Sequence, residues 1–180
     1  VYLIQILLGA MLGAKALGYY TLAFDTVFKP TMAIAPVLTR VAFPVFSRLQ
    51  GNMLQMKKGY LKILQLLSLF NFPVTFGVAV VAPLAVPVIY GEKWIPSVVL
   101  IQILALAAVL RSMASPQGFL LLSKGKADWG FYWSLGTMIV QFPFLYLGVK
   151  WGMQVGAALA FCVVQFIFVI ISYFILLRRI

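Results

Sequence analysis

The chain has 180 residues, 64% of them hydrophobic and 9% charged, and its 14 Lys and Arg against three acids leave a formal charge of +11. A mean hydropathy of +1.07 excludes an ordinary soluble domain, where about a quarter of residues are charged, and points to an all-α polytopic membrane protein. The basic excess suits an anionic membrane surface or a cavity for an anionic ligand rather than a nucleic-acid face, and no His and a lone cysteine, Cys162, leave no cysteine-rich metal site, cofactor motif or internal disulfide.

Six apolar segments are separated by polar punctuation. The first, Val1 to Leu12, opens in mid-hydrophobic run without an initiator Met or a basic leader. It is therefore expected to be a truncated helix, and residues 1–180 to be one transmembrane unit of a longer machine. The second runs from about Gly18 to Phe46, and the third from about Gly59 to Ile89 with kinks expected near Pro73 and Pro83. The fourth runs from about Ile95 to Leu122, interrupted at Pro116; the fifth from about Trp129 to Val149; the sixth from about Met153 to Leu177.

The second segment, LGYYTLAFDTVFKPTMAIAPVLTRVAFPVFSRLQ, carries Asp25, Lys29 and Arg40 at membrane depth. Each charge costs at least about 2.5–3.5 kcal/mol in hydrocarbon, so the three need partners, a wet cavity or a task. On a helix Asp25 and Lys29 are one turn apart, and Arg40 falls about 20° round from Lys29, so all three share one face. Two readings stay open: the face lines a cavity, or Asp25 and Lys29 neutralise each other while Arg40 snorkels to the nearer interface.

Lys and Arg cluster in alternate connections. Arg48, Lys57, Lys58, Lys62, Lys124, Lys126, Arg178 and Arg179 fall on one side and Lys15, Lys93 and Lys150 on the other, which sets the first group in the cytoplasm. Between Ser47 and Lys62 the run SRLQGNMLQMKKGYLK reads either as a segment lying in the inner interface or as a polar loop with a ragged helix end. Tyr19, Tyr20, Tyr60, Trp94, Trp129, Tyr132 and Trp151 lie near span ends, as an aromatic belt would.

Arg111 is the other cation inside a span, about 16 residues into the fourth segment and followed at once by Ser112, Ser115 and Pro116. Its guanidinium fork suits a phosphate or diphosphate; the alternative is a structural tie to carbonyls or to Asp25. Gln102, Gln141 and Gln165 suit interhelical hydrogen bonds. Asp25, Glu92 and Asp128 fall at different depths and there is no His, so an enzyme's acid–base pair cannot be assembled.

The stretch from Leu17 to Gln50, then VIYGEKW (Val88 to Trp94) and LRSMASPQGFLLLSKGKAD (Leu110 to Asp128), resembles the polysaccharide-transport branch of the multidrug/oligosaccharidyl-lipid/polysaccharide flippase superfamily, close to colanic-acid-type exporters. The resemblance implies one lobe of a two-lobed transporter in the bacterial inner membrane. Its partners would be membrane lipids, the missing first lobe and a polyprenyl-diphosphate-linked oligosaccharide, with Lys29, Arg40 and Arg111 receiving the anionic headgroup and Asp25 moderating the field. An ion-coupled drug exporter of the same fold would instead need an acidic cavity, a membrane-embedded glycan polymerase or transferase would carry carboxylates on large loops, and a scaffold subunit would have no use for buried cations.

Overall fold

The computed structural model describes residues 2–48, 53–123 and 127–179, with side chains described over 4–33, 54, 55, 57–112 and 130–174. All of it is helical apart from one short connection. Helix α1 is Tyr2–Arg48, α2 Met53–Tyr90, α3 Pro96–Ser123 and α4 Ala127–Arg179, with a 3-10 turn, Glu92–Trp94, between α2 and α3.

Two of the four helices are hairpins. In α1 the helix breaks at Gly13, whose φ of 81° and ψ of 176° belong to glycine. A Cβ on Gly9 would lie 3.3 Å from the Leu17 side chain, although eight residues of straight helix would separate the two by about 12 Å. In α4 the break is at Gly152 and Met153. A Cβ on Gly148 would meet the Gly156 carbonyl oxygen at 2.5 Å, again across eight residues. The four helices thus make six rods, matching the six apolar segments.

Three described stretches are long and apolar enough to cross a membrane, Ile4–Ala33, Lys57–Tyr90 and Gly130–Phe174, and a shorter apolar helix covers Pro96–Ser112. The last of the three spans 45 residues, enough for two crossings at about 20 residues each. Together they make this a multi-pass membrane protein. Large apolar side chains such as Val80, Leu84, Val88, Ile139 and Phe174 remain exposed along the rods, as a lipid-facing surface requires.

The core lies in the half of the bundle next to the three tight turns. Helix α3 packs against the other three, and its Leu100, Ile101, Leu104 and Ala107 are fully buried. Around it close Leu8, Ala23 and Val27 of α1, Ala82 and Val86 of α2, and Leu145, Ala157 and Ala158 of α4. Phe24 and Phe28 stack at 4.2 Å and both meet Phe161 of α4 edge-on, at 6.4 and 6.2 Å. Cys162 is a buried free thiol packed into this cluster.

Several sequence expectations are corrected. The helix runs uninterrupted through Pro116 in α3, because a proline removes one backbone hydrogen bond that a bundle can do without; Pro73, Pro83 and Pro87 lie within α2. The lysine-rich run from Met53 is the straight start of α2, continuous with its span, and residues 49–52 lie outside the described residues. Tyr20 and Tyr60 are buried, at 1% and 3% exposure, because each faces a neighbouring rod instead of the interface. Trp94 stands edge-on to Tyr19 at 5.7 Å and fastens the α2–α3 turn to α1; Trp151 and Tyr132 are exposed. The side chain of Trp129 lies outside the described residues.

Candidate functional site

Each of the charges at membrane depth is positioned by one helix. On α1 the core side is formed by Tyr20, Phe24, Val27 and Phe28. At 100° per residue Asp25 and Lys29 fall on the opposite side. Lys29 Nζ lies 2.7 Å from Asp25 Oδ2, with the two side chains 74% and 41% exposed. Pro30 deprives the Thr26 carbonyl of its helical donor; Thr26 and Thr31 turn their hydroxyls back to the Leu22 and Phe28 carbonyls, at 2.7 and 2.9 Å. The side chain of Arg40 lies outside the described residues.

Arg111 sits differently. It stands three, seven and eleven residues after Ala108, Leu104 and Leu100, which puts it on the same face of α3. Those three are buried, whereas Arg111 is exposed. Packing continues at and below its level, at Asn71 and Leu67 of α2 and at Val169 and Ser172 of α4. Among the described residues Arg111 makes no hydrogen bond or ion pair. Ser112 beside it is buried and donates to the Val109 carbonyl at 2.7 Å.

Depth along the rods brings further polar groups to this level. Lys29, Thr75 and Arg111 each stand fifteen residues along from the turn end of their rods, at Ala14, Tyr90 and Pro96, or about 22 Å at 1.5 Å per residue. Thr75, 1% exposed, donates to the Asn71 carbonyl at 2.5 Å. One turn further, the Asn71 carboxamide oxygen is buried with no hydrogen-bond partner among the described residues, an arrangement that costs about 1–3 kcal/mol. Asn71 and Thr75 were not singled out in the sequence. The signal was present in LSLFNFPVTF, two polar residues one turn apart in an apolar run, on either side of a proline.

Asp25 and Lys29 are thus joined, while Arg111 shares their depth but belongs to another helix face. Gln102 lies half-way round α3 from Arg111, in an exposed stripe with Val99 and Leu106. Gln141 and Gln165 are half-buried on α4. The layer offers a guanidinium without an ion pair among the described residues and a compensated ammonium, of which the guanidinium is suited to meeting an anion by charge and hydrogen bonds.

A family model described as polysaccharide biosynthesis protein matches residues 2–99. The chain is 34% identical over 161 residues to the teichuronic acid biosynthesis protein TuaB of Bacillus subtilis, covering 89% of this chain and 33% of that protein. It is 35% identical over 168 residues to a membrane protein of the cps region of Klebsiella pneumoniae, covering 93% and 35% respectively. It is 32% identical over 173 residues to the lipopolysaccharide biosynthesis protein WzxC of Escherichia coli, covering 96% and 35%. No solved structure matches. The chain spans about a third of the length of these relatives. A multi-pass bundle with a polar layer at membrane depth, matched by this family model over more than half its length, belongs to the polysaccharide biosynthesis protein family.

Proposed function

We propose that the chain is one lobe of a flippase that moves a polyprenyl-diphosphate-linked oligosaccharide from the cytoplasmic to the outer leaflet of the bacterial inner membrane, by alternating access and without covalent chemistry. The observation that carries this reading is Arg111, a cation inside a span that makes no ion pair or hydrogen bond among the described residues. An arginine kept at that depth at a cost of about 2.5–3.5 kcal/mol calls for an anion, and a guanidinium meets a diphosphate through two parallel hydrogen bonds.

In this mechanism Arg40, nearer the cytoplasmic end, and Arg111 receive the diphosphate, and Lys29, on a different helix face, adds to the positive field at that depth. Asp25 offsets the contribution of Lys29 by pairing with it, so that the ligand is held without being trapped. Asn71 and Thr75, buried in this state, become available to the sugar end only when the rods move apart. Release requires weaker binding in the outward-facing state, which rocking against the missing first lobe supplies by drawing Arg111 away from the ligand.

The test is transport of a fluorescent lipid-linked oligosaccharide by the full-length protein in proteoliposomes. Arg111→Ala is expected to lower the rate at least tenfold and Arg111→Lys to retain part of it, while Gln102→Ala leaves it unchanged. Equal transport by wild type and Arg111→Ala at equal reconstitution would overturn the reading.

A further inference from the structure

The geometry points to a docking surface for anionic phospholipid on the first turns of α2. This site is separate from the polar layer and independent of what the protein transports. Helix α2 has 38 residues, about 57 Å, against about 30 Å of hydrocarbon to cross. With Tyr90 at one interface, Lys62 lies about 42 Å along the helix and Lys57 about 50 Å. A tilt of about 20°, ordinary for a membrane helix, leaves the Lys62 backbone about 9 Å past the hydrocarbon, at the outer rim of the far headgroups and within reach of them by its side chain, with Lys58 and Lys57 farther out.

These residues continue the spanning rod of α2 past the far edge of the hydrocarbon. Tyr60, Leu67 and Asn71 are buried and mark the side turned to the bundle. Lys58 and Lys62 fall on the opposite side with Leu69, and Lys57, Leu54 and Leu61 on its flank, all exposed. With Leu69 at the edge of the acyl region and lysine stems reaching back to the phosphates from beyond it, this is how the end of a span meets an anionic leaflet.

Charge complementarity commits the site to that partner. Of the chain's three acids, Asp25 is tied to Lys29, Glu92 lies past the far end of α2, and the side chain of Asp128 lies outside the described residues. Among the described residues none of the three lysines makes an ion pair or a hydrogen bond. A cluster of lysines at a membrane edge attracts anionic headgroups additively, and salt weakens the attraction.

The experiment uses the full-length protein, purified in detergent and stripped of lipid. It is titrated with dioleoyl phosphatidylglycerol or dioleoyl phosphatidylcholine, with bound lipid read by native mass spectrometry. Phosphatidylglycerol is expected to bind at least tenfold tighter than phosphatidylcholine. K57Q/K58Q/K62Q should bring the two lipids level while K57R/K58R/K62R keeps the preference. Should the glutamine variant fail to fold, the wild-type preference must still fall as salt rises. The proposal is overturned by an unchanged preference in the glutamine variant, by a preference indifferent to salt, or by inorganic phosphate displacing the lipid. Loss of the preference with transport intact would leave the flippase reading untouched, and the converse would leave the lipid site standing.

Discussion

Gly148 and Gly156 face each other backbone to backbone across the α4 hairpin. A methyl group on Gly148 would come within 2.5 Å of the Gly156 carbonyl oxygen and 2.8 Å of the Ala160 Cβ, and one on Gly156 would overlap the Gly148 carbonyl more closely still. Neither obstacle is the end of a flexible side chain. Gly148→Ala and Gly156→Ala are each expected to destabilise the protein by about 1–3 kcal/mol, the usual cost of overpacking. Gly136→Ala, where the added carbon meets nothing, should be neutral or stabilising, since Ala is the better helix former. Thermal unfolding of the three variants in detergent checks the order.

The two hairpin breaks make opposite demands. Gly13 has a φ of 81° with empty space around it, so Gly13→Ala should cost about 1–3 kcal/mol through backbone strain alone. Met153 holds a φ of 50° without being a glycine, and at 69% exposure its side chain gives up little packing. Met153→Gly is expected to raise stability by about 1 kcal/mol; a lower melting temperature for this variant would refute the strain.

Phe161 joins α4 to the stacked Phe24 and Phe28 of α1. Its truncation to Ala leaves a cavity between two rods and should cost about 3–5 kcal/mol, while Phe161→Leu keeps most of the volume and costs less. The comparison is made by chemical unfolding in detergent, and equal loss for both variants would refute the packing role.

Asn71→Leu separates fold from function. Replacing a buried carboxamide whose oxygen has no partner should stabilise the protein by about 1 kcal/mol or more. The same change removes a polar group from the layer proposed to hold the sugar end, so transport should fall several-fold. A variant that is firmer and fully active would remove Asn71 from the mechanism.

The pairing of Asp25 with Lys29 bears on how the field is tuned. An exposed pair one turn apart contributes about 0.3–0.5 kcal/mol, so Asp25→Asn/Lys29→Gln should unfold close to the wild-type temperature. Asp25→Asn alone leaves Lys29 uncompensated; tighter retention of the lipid-linked ligand together with slower release is expected in a binding and efflux assay.

The fold was largely legible because bilayer thickness imposes a length. Six apolar runs of about the right size, punctuated at Gly13, Gly91 and Gly152, correspond to six rods. What the sequence hid depends on which residues meet across space. Gly148 and Gly156 read as unremarkable small residues until the hairpin folds them together, and Tyr20 reads as an interface residue until the core closes over it. Pro116 misled in the other direction: it suggested an interruption, yet it sits within continuous helix. For the charges, spacing left the Asp25–Lys29 pairing as one of two readings, and the two side chains are paired. It could not tell that Arg111 looks to the core side of its helix while Lys29 looks away from the core of its own.

The glycine crossing in α4 also has a mechanical meaning. Where main chain rests directly on main chain, no rotamer can flip to let one arm slip along the other. The two arms of that hairpin travel as a single strut, and any force applied to one of them at the membrane surface arrives undiminished at the other.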